Sequence, residues 1–388
     1  MTEDANGYDA GQIQVLEGRE AIRKRPGMYI GSTGERGLRH MVFEIADRAV
    51  NEVLAGLAGR VAVTLTPDGG VCVADDGPGI LVSEVGSTGS TFLEALLTRT
   101  WAGTGTGDRN GVTLGCCGVG PFVVNALSRR MTAEVRREGV RWVQEYARGM
   151  AVSPLTEAGP AAGSGTAIVF WPDSDIFGTA EFSFDELAER FRELALLNKG
   201  LAISLTDRRR PVECRAARFQ YPCGARDFVK LLDSRAAVPA ITDIVGFECE
   251  DPRMAGTMEV AFRWSGSREE RVRSFANSRP TARGTHTMGF RDGVAAAVTT
   301  YARERRLLTA THPDFSADRI GEGLTAVVAV RLDDPEFHGS MLDVLGNATV
   351  RACVGQAVQE HLGRWLEKHP EQAGAVLDRI VQAARRNR

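Results

Sequence analysis

Between Ala102 and Gly120 the chain places glycine at positions 103, 105, 107, 111, 115, 118 and 120, and the run opens directly onto the apolar segment PFVVNAL. So dense a set of glycines costs too much backbone entropy for a helix or a strand. Residues 102–120 therefore read as a mobile loop ending at a new helix, FVVNALSRR (122–130). Glycines at such a junction let backbone N–H groups approach an anion, and a helix N-terminus favours negative charge. A loop of this kind needs a frame, and the flanking pattern supplies one. Residues 37–57 read as an amphipathic helix with Met41, Ile45 and Ala49 on one apolar stripe. VAVTL (61–65) and VCVAD (71–75) alternate as the arms of a β-hairpin around an Asp-Gly-Gly turn. Residues 91–100 read as helix, and strands follow near 131–137, 140–148 and 165–171. A helix over 183–197 starts at Ser183, with Glu186 three residues on as in a capping box.

The pattern breaks at YPCG, near 221–225. Beyond it come strands near 257–264 and 325–332, a helix near 288–306, and a closing helix with a basic end over 350–388. A chain of 388 residues suits about two or three domains. The expected class is α+β: an N-terminal arm at 1–17, a first domain at 18–222 with a mixed sheet backed by helices, and a smaller α/β domain at 223–388.

Composition narrows the function classes. Lys plus Arg is 47 against 50 for Asp plus Glu, a formal charge of −3. This is no footprint for non-specific nucleic-acid binding, so nucleic acid is not an expected partner. No apolar run reaches the roughly 18 residues of a membrane span, and the start MTEDANGYDAGQ is acidic and polar, unlike a secretory leader. The seven cysteines include no CxxC pair, and Cys116 and Cys117 are adjacent, a poor arrangement for zinc or a structural bridge. The expected compartment is reducing and cytoplasmic.

Three elements carry chemistry. Glu44, Arg48 and Asn51 share one face of the first helix. Asp75-Asp76-Gly77-Pro78-Gly79 follows the hairpin, as a carboxylate held at a tight turn beside a ligand would. Gly115-Cys116-Cys117-Gly118-Val119-Gly120 stands at the expected helix start. Each element alone is a common pattern; the three in this order are far more specific.

In that order, with RKRPGMYIGST (23–33), HMVFEIADRAVNE (40–52), VADDGPGI (73–80), GCCGVGPFVVNALS (115–128), GSGTAIVFWPD (163–173), RGTHTMGF (283–290) and EGLTAVVAVRLDDPEF (322–337), the chain resembles the ATPase-and-transducer half of the DNA gyrase B family, in the GHKL ATPase superfamily. The resemblance implies Glu44 as the general base of ATP hydrolysis. It implies Asp75 as acceptor for the adenine amino group, supported by Thr166. Gly77 and Gly79 would shape the pocket floor, and Gly115, Cys117, Gly118, Val119 and Gly120 would form the phosphate-wrapping lid motif. Tyr8 and Ile13 match arm residues that cross to a second protomer, so a homodimer is implied. Asp75, Thr166 and Arg137 match positions that inhibitors of the family contact.

The chain also departs from the family pattern. Arg48 stands where the family holds Mg²⁺ with an Asn, and a guanidinium cannot ligate a metal. Ala102-Gly103 is followed by Thr104-Gly105 where the family has Gly-Lys, and Cys117 replaces a His. Trp101 replaces another His at the lid hinge, as a core filler or a ligand contact. Ser340, Met341 and Leu342 occupy the positions of a Gln-Thr-Lys loop whose Lys stabilises transition-state charge. ATP is thus expected as a poorly served ligand with slow or absent hydrolysis, without tightly held Mg²⁺. The chain stops where the family continues into a metal-dependent DNA-cleaving domain, so no cleavage activity is expected of these residues. A topoisomerase partner is one implied role. Two other readings stay open. The pocket could be repurposed for acid–base chemistry on a non-nucleotide small molecule, with Glu44 and Arg48 as the working pair, or the chain could be a decoy that sequesters gyrase-directed antibiotics.

Overall fold

The structure, a computed structural model, describes residues 18–84, 89–99, 120–308, 314–317, 320–339 and 343–386. Strand alternation in the first half becomes a nine-stranded sheet. Val61, Val63 and Leu65 turn inward, as do Val71, Val73 and Asp75, and the two strands pair antiparallel with Val61 opposite Asp75. From one edge, the order is Met150–Ala151, Val140–Ala147, Ser128–Arg137, Gly165–Pro172, Val71–Asp75, Val61–Leu65, Ile203–Asp207 and Arg215–Phe219, with Thr156–Pro160 also paired to Val140–Ala147. Among the described residues every pairing in this sheet is antiparallel except one: Val61–Leu65 runs parallel to Ile203–Asp207. The helices Glu35–Leu54, Pro121–Ala126 and Phe184–Leu197 join this sheet in one core, which includes Met41, Ile45, Val63, Val73, Phe122, Phe170 and Leu194. Ser183 caps the last of these helices, its Oγ accepting from Glu186 N at 3.3 Å.

A second core gathers Trp264, Phe290, Val328, Val358 and Ile380. Its five-stranded sheet runs Val245–Asp251, Gly256–Trp264, Leu324–Leu332, Arg271–Ala276 and Arg279–Thr281. A smaller cluster joins Leu196 and Leu197 to Phe228, Val229, Phe275 and Val327. There Arg331 donates to the Leu197 carbonyl at 2.6 Å and to Asn198 Oδ1 at 3.0 Å, tying the last turn of the Phe184–Leu197 helix to the second sheet. No helix among the described residues is long and apolar enough to cross a membrane.

Two expected elements differ. The helix expected over 122–130 ends at Ala126, and Ser128 already belongs to a strand paired with Gly165–Pro172. Ser128 Oγ donates to Val124 O at 2.6 Å, which marks the end of the helix, and the long ladder outweighs local helix preference beyond it. The closing helix expected over 350–388 is two helices, Ala348–Lys368 and Pro370–Arg386. Pro370 has no N–H to continue the first helix, and the residue before a proline is pushed out of the α region.

His286, in the helix Thr285–Glu304, is fully buried and meets Thr281 Oγ1 at 3.0 Å. Desolvation pushes its imidazole down to about 4, from an ordinary value of 6.5. Neutral His286 is therefore tolerated, whereas protonation opposes folding. Stability should be intact above pH 6.5 and fall as pH drops toward 4, by roughly 3 kcal/mol at about 1.4 kcal/mol per unit. Thermal melts at pH 7 and about pH 4.5 check this. A His286→Gln variant should lose markedly less over that window; parallel losses in the two proteins would remove His286 as the cause.

Candidate functional site

The helix Glu35–Leu54 buries Leu38, Met41, Val42, Ile45 and Ala49 against the sheet, which turns the neighbouring stripe of His40, Glu44 and Arg48 toward the ends of the central strands. Glu44 is 2% exposed. Its Oε2 accepts a hydrogen bond from Gly120 N at 2.9 Å, and its Oε1 lies 3.2 Å from His40 Nε2. Gly120 can make this approach because it holds φ +78° at the mouth of the Pro121–Ala126 helix, and Pro121 supplies no competing N–H. The carboxylate is thus a fixed, buried acceptor beside a buried imidazole. His40, the first residue of HMVFEIADRAVNE, is a site residue not singled out from the sequence, although its i,i+4 spacing to Glu44 is a readable signal.

Asp75 closes the strand Val71–Asp75 and stands opposite Thr166 in the ladder with Gly165–Pro172. Its Oδ1 accepts from Gly77 N at 3.0 Å. Thr166 Oγ1 accepts from Ile80 N at 3.1 Å, which ties the turn after the strand to the next strand. Gly79 adopts φ +79°, and a Cβ there would stand 2.7 Å from the Arg136 carbonyl oxygen. Arg137 Nη1 donates to Gly79 O at 2.9 Å, so Arg137 holds the floor of the site from below. Of the two adjacent acids only Asp75 belongs to the site. Burial pushes the Asp76 carboxyl up, but the N–H groups of Gly59 and Arg60, at 2.7 and 3.0 Å, outweigh this and hold it below its ordinary value. Asp76 fastens the turn before the first hairpin strand.

Arg48 joins the two halves of the site. Its place one turn from Glu44 suggests pairing there. Instead its Nη2 donates to Asp75 Oδ2, while Nη1 lies 3.7 Å from Glu52 Oε1. Among the described residues no hydrogen bond or ion pair joins Arg48 to Glu44. The structure thus brings together Glu44, Arg48, Asp75, Gly77, Gly79, Gly120, Arg137 and Thr166. Trp101, Gly115, Cys117, Gly118 and Val119 lie outside the described residues, as do Tyr8, Ile13 and the segment Ser340, Met341 and Leu342. Among the described residues no cluster of His, Cys, Asp and Glu could hold a metal ion.

Comparison with known proteins places the fold. The family description "DNA gyrase B" matches residues 224–388. DNA gyrase B of Streptomyces coelicolor is 43% identical over 97% of this chain, and the novobiocin-resistant DNA gyrase B of Streptomyces niveus is 42% identical over 97%. The chain spans 57% and 58% of the length of these two relatives. The 43K ATPase domain of Thermus thermophilus gyrase B, solved in complex with an aminocoumarin, superposes with a TM-score of 0.79 at 33% identity, covering 95% of each chain. The topoisomerase IV ATP-binding domain of Francisella tularensis, bound to a small-molecule inhibitor, gives a TM-score of 0.76 at 27% identity over 96% of this chain and 98% of that one. With its α+β architecture matched over 95% of such an ATPase domain, the chain belongs to the DNA gyrase B family and corresponds to its GHKL ATPase region.

Proposed function

We propose that this chain keeps a gyrase B-type ligand pocket but has lost efficient phosphate chemistry, so that it binds adenine-type ligands weakly and hydrolyses ATP slowly or not at all. The observation that carries this is Arg48, whose guanidinium occupies the helix face between Glu44 and Asp75. A fixed positive charge there repels a divalent cation and cannot ligate one. The changed positions Gly105, Cys117 and Leu342 support the same reading from the sequence. Since the relatives are named as subunits of DNA gyrase, the reading includes a topoisomerase-type partner, and the match of Tyr8 and Ile13 to the family's arm adds pairing of two copies.

Titration calorimetry with a non-hydrolysable ATP analogue, in Mg²⁺ or in EDTA, tests the pocket. Binding heat and affinity are expected to be the same within about twofold, since only interactions that differ between the two conditions can shift a binding equilibrium. Tight binding that strictly requires Mg²⁺ would overturn the reading.

A further inference from the structure

Asp75 has both carboxylate oxygens engaged, Oδ1 by Gly77 N–H and Oδ2 by Arg48. Arg48 is less completely served. A guanidinium carries five N–H donors, yet its buried Nε has no hydrogen-bond partner among the described residues. Glu52, one turn along the same helix, holds Oε1 at 3.7 Å from Arg48 Nη1, and its buried Oε2 accepts no hydrogen bond among the described residues. Arg48 thus holds one close contact, on Asp75, and has a second carboxylate within reach.

From this we infer that Arg48 is a movable pin on Asp75, which competes with any neutral ligand that would donate an N–H to that carboxylate and turns toward Glu52 when such a ligand wins. The ligand class selected against is the neutral heterocycle bearing an amino group. The inference rests on the pocket reading above and adds a specificity-determining role to one side chain. Either donor makes a charge-assisted hydrogen bond to the carboxylate, but only the guanidinium adds an opposite charge, an attraction of about 1 kcal/mol or more at a partly buried site. Exchanging Arg48 for a neutral amino group should therefore cost about tenfold in affinity, the equivalent of one such difference.

Adenosine is the appropriate probe because it carries the amino group and no phosphate charge for Arg48 to attract. Calorimetry on the whole chain should show Arg48→Asn binding adenosine at least about tenfold more tightly than the unmodified protein. In an Asp75→Asn background the same substitution should give no gain, which separates competition for Asp75 from a general change in the pocket. Equal affinity in the unmodified protein and Arg48→Asn overturns the pin and leaves the pocket reading standing. Absence of binding by every variant overturns both. Should Arg48→Asn fail to fold, Arg48→Gln replaces it, and a crystal structure of the unmodified protein with adenosine decides independently. A guanidinium moved to Glu52 supports the pin. Adenosine seated on Asp75 with the Arg48 contact intact refutes it.

Discussion

Steady-state ATP turnover by this chain is expected to run about 10²–10³-fold below that of a gyrase B ATPase fragment such as the Thermus domain, the usual cost of losing one preorganised stabiliser of transition-state charge. The expectation separates two functions within one site. Glu44 has the setting expected of the base: it is buried, with one oxygen on Gly120 N–H and the other beside His40. What differs is the charge that must meet the phosphates: Arg48 is committed to Asp75, and Leu342 stands where the resemblance implies a lysine. A base without its electrophilic partners speeds the reaction little. Glu44→Gln should abolish whatever turnover remains. Residual activity that ignores this substitution belongs to a contaminant, and turnover at the level of the Thermus domain would sink the expectation.

Gly165→Ala is expected to be the most damaging single methyl in the first sheet. Gly165 holds φ +142°, and a Cβ built there would lie 2.2 Å from the carbonyl oxygen of Asp75. Backbone strain of this kind costs about 1–3 kcal/mol, and forcing an atom into a packed site costs about as much again. The ladder cannot widen without separating Asp75 from Thr166, which it holds opposite each other. A loss of roughly 3–5 kcal/mol follows, on the order of 10 °C in melting temperature for a domain of this size, together with loss of ligand binding at Asp75. Gly163→Ala is the control. Gly163 also has a positive φ, +76°, but nothing lies within 4 Å of its Cβ position. It should lose only about 1 kcal/mol. If the two variants melt together, the close approach at Gly165 is not what the fold depends on.

The hairpin is legible in the sequence because alternation is a local property. Val61, Val63 and Leu65 face inward because every second residue is apolar, and register follows from the turn. Glu44 and Asp75 are legible as one site only through the order of several motifs, since each pattern alone fits many folds. Of the two carboxylates at Arg48, Glu52 is legible as its neighbour one turn on, and Asp75 is not. Helical spacing points to residues three or four positions away, whereas Asp75 comes from a different element and is brought there by packing. The motif marks Gly120 as a phosphate-loop glycine, and its grip on Glu44 depends on how the Pro121–Ala126 helix docks. The end of that helix escapes the sequence for the converse reason: FVVNALSRR has acceptable helix propensity throughout, and only the tertiary ladder claims Ser128. The break before Pro370 is within reach of local rules.

The parallel seam of the first sheet, Val61–Leu65 against Ile203–Asp207, fixes the order in which this protein can mature. The early strand lies in the middle of the sheet, and one of its two neighbours does not leave the ribosome until residues beyond 203 are made. At about 5–20 residues per second, the nascent chain carries a hydrophobic strand with one open flank for on the order of ten seconds. Such a flank is a template for wrong pairing. Asp75 hangs from the very next strand, so the floor of the pocket acquires its final rigidity late in synthesis, when Ile203–Asp207 docks. A stalled or nicked chain lacking that strand would be a sticky intermediate and not a smaller working protein.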